Sequence, residues 1–374
     1  MRVIHLQDEI PHVVDGETVY AIRWRDDHVV AAGIHTVDPA LAQSDAVQSF
    51  PTPAPLTRGD TEAAADQSAQ IGVIICTHNR PQHLQTCLES FAHQIVPPAQ
   101  IIVVDNAPTD ERSKQVCDAF DVTYVREDRK GLSIARNTGL AHITTDYVAF
   151  TDDDVILHPT WLSRMIDVFE RTGSDALTGL TLPVELGARS QQIFEQQWSF
   201  NRGLAPKTYS SNDFERHRKF CFPAWEIGAG ANMAFRRQVF VDHGLFEEDL
   251  GAGAAGCSED SELWYRLLGS GGTCVYDPSV IVFHTHREDE QALKTQLRAY
   301  MRGHTAALRI QGKKFPNCGN AHRRFITLPR WYAGLALARM REGRRPQTWF
   351  LLDEICGYLE GLFYPIKSRQ ERVK

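Results

Sequence analysis

The feature that most constrains this chain is a series of short apolar segments, each closed by a polar loop, between Ile71 and Asp154. Ile71–Cys76, Ile101–Val104, Val122–Val125 and Tyr147–Phe150 are rich in β-formers. Helical stretches separate them, the first opened by Pro81, whose fixed φ and missing N–H suit a first helical turn. Strands alternating with helices in such short units predict an α/β fold: a Rossmann-like, mainly parallel sheet with helices on both faces. In an open sheet of this kind ligands settle outside the carboxyl ends of the strands. There the sequence puts Thr77-His78-Asn79-Arg80, Asp105-Asn106, Arg129-Lys130-Gly131 and Asp152-Asp153-Asp154. Each cluster alone would pass for a polar turn. Their shared edge points to a site.

The flanks read differently. Residues 1–50 carry a small β-rich module, with β-formers at Thr18–Trp24 and His28–Ala32 on either side of Asp26-Asp27. Residues 51–70 have the proline-rich, small and polar texture of a linker. The main domain is expected over 71–312, and a basic amphipathic helical tail over 313–374. That tail carries a net charge of +8, whereas the residues before it carry −15. So acidic a main body is a poor match for a nucleic-acid partner. Within the tail, Ile355, Leu359, Leu362 and Phe363 fall on one helical face. That face is expected either to pack on the main domain or to lie on an anionic membrane surface. Eight cysteines without a CxxC pair argue against a disulfide frame or a zinc ribbon. With no export leader visible at the start and no run near the ~18 apolar residues of a membrane span, a cytoplasmic place is expected, with the inner face of the plasma membrane within reach of the tail.

The chemistry collects in five places. Three consecutive aspartates after a buried strand repel one another unless a cation joins them. Oxygen ligands favour a hard divalent ion, Mg²⁺ or Mn²⁺, and extended geometry would turn Asp152 and Asp154 to one side. Gly131-Leu132-Ser133-Ile134-Ala135-Arg136 sets a glycine, a hydroxyl and an arginine at a helix start, an arrangement suited to a diphosphate. Trp225 leads into a glycine-rich turn through Gly230, Ala231 and Asn232. A second glycine loop, Gly251–Gly256, runs into Cys257-Ser258-Glu259-Asp260. There Ser258 is expected to cap a helix, and one carboxylate to act as general base behind the loop. His284-Thr285-His286 closes a strand, so both imidazoles would face the same way.

Taken in order, the Ile71–Arg80 strand and loop, VVDNA, GLSIARN, FTDDD, GAGANMAFRR, SEDSELWYRL and HTHR resemble a family 2 glycosyltransferase of the GT-A fold. The resemblance covers about Ile71 to Gly312. It implies inverting transfer from a nucleotide-diphosphate sugar to an acceptor hydroxyl, in cell-surface polysaccharide or glycolipid synthesis, with Mn²⁺ or Mg²⁺ as cofactor. By that likeness Thr77, Asn79 and Asp105 would hold the nucleobase end, with Arg80, Lys130, Arg136 and Asp153 also in the nucleotide-sugar set. Asp152 would lie nearer the ribose and Asp154 on the metal, where His284 or His286 would join it or the diphosphate. Asp260 takes the usual base position, with Glu259 as its rival. Trp225, Gly230, Ala231 and Asn232 would line the acceptor side; were the tail to lie on a membrane, a lipid-linked or polysaccharide acceptor is expected. The family often has glycine before its acidic pair, where this chain has Cys257-Ser258. Two other readings stay open: a sugar-phosphate nucleotidyltransferase, and a non-catalytic saccharide-binding protein of the same fold.

Overall fold

The computed structural model describes residues 1, 3–7, 18–25, 28–36, 71–342 and 349–367. The linker expected over 51–70 and the Asp26-Asp27 turn lie outside them. The first strands, β1 (Val3–Gln7), β2 (Thr18–Arg25) and β3 (His28–Thr36), make a small sheet in that order. The main sheet begins with β4 (Ile71–Thr77), β5 (Gln100–Asn106), β6 (Thr123–Glu127) and β7 (Tyr147–Asp152), paired in parallel as β6-β5-β4-β7. Every residue of β4 is buried, so the strand is apolar without alternation. Its side chains still alternate in direction. Ile71, Val73 and Ile75 join a core with Leu84, Leu88, Trp161 and Met165, while Ile74 and Cys76 join another with Leu263, Trp264 and Leu268.

Beyond β7 the sheet is mixed. β8 (Val155–Leu157), β9 (Ala176–Pro183), β10 (Lys207–Tyr209), β11 (Asn232–Arg236) and β12 (Cys274–His284) complete it. β9 and β12 are parallel to each other, but β11 is inserted antiparallel between β7 and β9. The reason is where β11 starts. Asn232 pairs with Thr151, one residue short of the end of β7. A chain emerging from the glycine-rich turn at that edge can only run back down the sheet.

The helix Trp161–Thr172 buries Trp161, Leu162, Met165, Ile166 and Phe169, a 3.6-residue stripe, and stops at Gly173 in the left-handed conformation (φ 63°). The small sheet is docked on the main one. Tyr20, Ile22 and Trp24 share a core with Leu180, Leu182 and Phe283, and Trp24 stacks on His158 at 5.3 Å. At the other end a long helix, Glu290–Lys314, opens with Asp289 accepting from the Ala292 N–H at 2.6 Å. The helix Leu351–Phe363 crosses it at glycines: a Cβ on Gly357 would stand 2.1 Å from Arg298 O, and one on Gly361 2.5 Å from Arg302 O. Ile355 and Leu362 of the expected apolar face are partly buried, whereas Leu359 and Phe363 are exposed. The tail helix therefore packs on the domain and keeps apolar side chains outside.

Candidate active site

The polar ends of the strands open into one cavity of about 1180 Å³, which runs on beneath the C-terminal helices. At the end of β7 the chain turns sharply, and the three aspartates separate. Asp153 points inward and is fully buried; its Oδ2 accepts from Thr77 Oγ1 at 2.8 Å and from Arg80 Nε at 3.1 Å. Arg80 reaches on to Asp154 Oδ2 at 2.6 Å. With its neighbour held inward, the turn presents Asp152 and Asp154 to the cavity. Burial works against the charge on Asp154, but His284 and Arg80 outweigh it and hold its carboxyl below the usual range.

Arg136 joins the two acidic segments. It is almost wholly buried, and its guanidinium donates to Glu259 Oε1 at 2.8 Å, Asp152 Oδ1 at 3.2 Å and Gly230 O at 3.2 Å. Phe150 and Phe246 pack against its flat faces. Burial, with Asp260 beside it, pushes Glu259 up to about 7 against the pull of Arg136. Glu259 is thus a buried clamp on Arg136. Asp260 is the more open of the two acids and lines the cavity; an added Cβ on Gly230 would stand 3.1 Å from its Oδ2. Glycine at 230 leaves that carboxylate room.

A divalent ion is tested by the donors it would meet. Asp154 Oδ1 is buried without a hydrogen bond and faces His284 Nε2 at 3.5 Å. Two such donors fit a hard ion that completes its shell with substrate phosphates. The larger expected set is not assembled, and among the described residues no three acidic, histidine or cysteine side chains form a ready cluster. Asp152 is engaged by Arg136. His286 has both ring nitrogens occupied, Nδ1 by His284 Nδ1 at 3.0 Å and Nε2 by Glu195 Oε2 at 3.0 Å. It supports His284 rather than facing Asp154. Glu195, which anchors this row, carries no motif that sequence reasoning could have caught.

Other expectations also shift. Asn79, Asp105, Asp153 and Asn232 do not line the cavity. Asn79 accepts from Thr109 N and Oγ1 at 2.9 and 3.0 Å, and Asp105 takes the Tyr124 hydroxyl at 3.0 Å while its buried Oδ1 has no hydrogen bond. At the start of the helix Leu132–Leu140 the first two N–H groups are already taken. Asn106 Oδ1 takes the Gly131 N–H at 2.9 Å, and Ala252 O takes that of Leu132 at 2.8 Å. Lys130, at the same place, does line the cavity. Ser258 precedes the helix Glu259–Gly269 in the left-handed region (φ 71°) and makes no side-chain cap. Trp225, Gly230 and Ala231 also line the cavity, together with Arg202, His304 and Arg323, three residues the sequence did not single out.

Residues 72–244 match the model of Glycosyl transferase family 2. A glucosyl-dolichyl phosphate glucuronosyltransferase of Haloferax volcanii is 23% identical over 188 residues, 49% of this chain and 57% of that protein. The succinoglycan biosynthesis protein ExoM of Rhizobium meliloti is 28% identical over 243 residues, 61% of this chain and 71% of that protein. The chain thus spans little more than half the length of the first relative. Among solved structures, a mannosyltransferase of Pyrobaculum calidifontis in complex with GDP-Man and Mn²⁺ has the same fold, with a TM-score of 0.54 at 18% identity, covering 79% of this chain and 87% of that one.

Proposed function

We propose, from the match of residues 72–244 to glycosyl transferase family 2, that this chain moves a sugar from a nucleoside-diphosphate sugar to an acceptor hydroxyl with inversion at the anomeric carbon. The observation that carries this reading is the Arg136 bridge, which draws the Asp152–Asp154 turn and the Glu259-Asp260 pair to one cavity. The donor belongs at the strand ends, near Thr77, Lys130 and Asp152. Asp154 and His284 would hold a divalent ion, Mg²⁺ or Mn²⁺; when bound, it offsets the charge of the departing diphosphate. Asp260 is the base that takes the acceptor proton, and Glu259 holds Arg136. One base and no protein nucleophile gives a single displacement, hence inversion. The named relatives favour a lipid-linked or polysaccharide acceptor. Exposed Trp331, Leu352 and Phe363 suit contact with the inner face of a membrane.

Asp260→Asn tests this. Removing a positioned base lowers turnover by about 10²–10⁴-fold, while donor affinity, measured by calorimetry, stays near that of the unaltered chain. Retained turnover in this variant, together with loss in Glu259→Gln, would move the base to Glu259.

A further inference from the structure

Two partly buried guanidinium groups in the cavity, Arg202 and Arg323, lack a carboxylate. Arg323 begins a π-helical turn, Arg323–Thr327, of the kind that often marks functional sites. Its guanidinium lies 3.9 Å from the centre of the Trp225 ring, and its Nε donates to His304 Nε2 at 3.2 Å. Burial, then Arg323 itself, pushes His304 down to about 3, so its ring is neutral and supplies no counter-charge. Arg202 approaches Trp225 from its backbone, donating to Trp225 O at 3.2 Å and to Ser199 O at 2.6 Å, while its Nε is buried without a hydrogen bond. Among the described residues neither arginine has an acidic group within ion-pair distance. Both line the cavity on the Trp225 side of Asp260. Uncompensated cations drawn away from water are costly, and here two partly buried ones flank one tryptophan in a space large enough for a ligand. The indole holds the Arg323 plane flat and leaves its terminal N–H groups free for the two-pronged grip that suits phosphate.

We infer that the Trp225 end of the cavity binds a phosphate group of the acceptor, held by Arg323 and Arg202. The word acceptor rests on the transferase reading; the phosphate site itself does not. On the transferase reading the donor's diphosphate belongs near Lys130 and Asp154, which assigns the anion held at Trp225 to the acceptor.

The test is calorimetric titration of the full chain with methyl phosphate, in chelator and without donor. The expected result is one saturable site, weakened at least about ten-fold in Arg323→Gln and in Arg202→Gln. Arg323→Lys, which keeps the charge and loses the fork, should fall between, and melting curves confirm that each variant is folded. Lys130→Gln should bind as the unaltered chain does. Absence of saturable binding would overturn the proposal. So would binding that survives both arginine variants and disappears in Lys130→Gln. Flotation with dodecyl phosphate in phosphatidylcholine vesicles separates the sources: tighter binding there than to methyl phosphate assigns a lipid-linked phosphate, and equal binding a soluble one. Since no donor is present, failure here leaves sugar transfer untouched, and failure of transfer leaves this result standing.

Discussion

At the scale of single residues, direction decides role. Asn232 follows a glycine-rich turn beside the site, which makes it look like a ligand contact. In the fold it is fully buried and ties neighbouring strands to a helix: its Oδ1 accepts from Trp161 Nε1 at 2.9 Å, and its Nδ2 donates to Leu180 O and Val280 O, both at 3.0 Å. Asn232→Ala strands those partners and should cost about 2–4 kcal/mol, read as a lowered denaturant midpoint. Asp153 escaped the sequence for the same reason, because the phase of a tight turn decides which of three equal aspartates faces inward. Asp152, Asp154, Arg136 and Asp260 were legible, since a charged group set directly beside an apolar run is costly to bury and gains most from a ligand or an opposite charge. Glu354 was not; it is buried beside Tyr332, whose hydroxyl donates to it at 3.4 Å. Burial raises its carboxyl from 4.5 to about 7. Below 4.5 both folded and unfolded states are protonated and the group carries no penalty. Between there and 7 the unfolded chain has released a proton that the fold retains, so stability falls as pH rises, by up to roughly 3 kcal/mol. Glu354→Gln should flatten the decline in melting temperature between about pH 5 and 8.

Whole elements were legible where period alone defined them. β4, β5, β6 and β7 stand close to where their apolar runs predict, and their polar ends share an edge. The antiparallel insertion of β11 was hidden, because strand direction follows from where the preceding turn ends in space. The row Glu195–His286–His284 was hidden too, being assembled from a helix and the end of β12. Glu195 holds the His286 ring, which holds the His284 ring, so this support belongs to the elements jointly. On the reading that His284 and Asp154 hold the ion, Glu195→Gln should weaken apparent Mn²⁺ affinity by about 10-fold or more. Activity measured against ion concentration checks this, and saturating Mn²⁺ should restore the rate.

At the scale of the molecule, the two expectations for the tail are not exclusive. Its last helix docks, yet Leu352, Leu359 and Phe363 remain exposed, as do Phe325, Trp331 and Met340 nearby. No helix among the described residues is long and apolar enough to cross a membrane. On the peripheral reading, the chain should float with anionic vesicles, and the pair Trp331→Asp and Phe363→Asp should abolish flotation without lowering the melting temperature.

The glycine crossing of the two C-terminal helices has a wider effect. Where Gly357 and Gly361 meet the carbonyls of Arg298 and Arg302, backbone rests on backbone with no side chain between. The Glu290–Lys314 helix also walls the cavity, and Glu354 of the crossing helix reaches into it. The spacing of the two helices beside the cavity is therefore tied to two missing methyl groups. One alanine at either position would act as a wedge and change the girth of molecule the cavity admits, with Asp152, Asp154 and Asp260 left as they are.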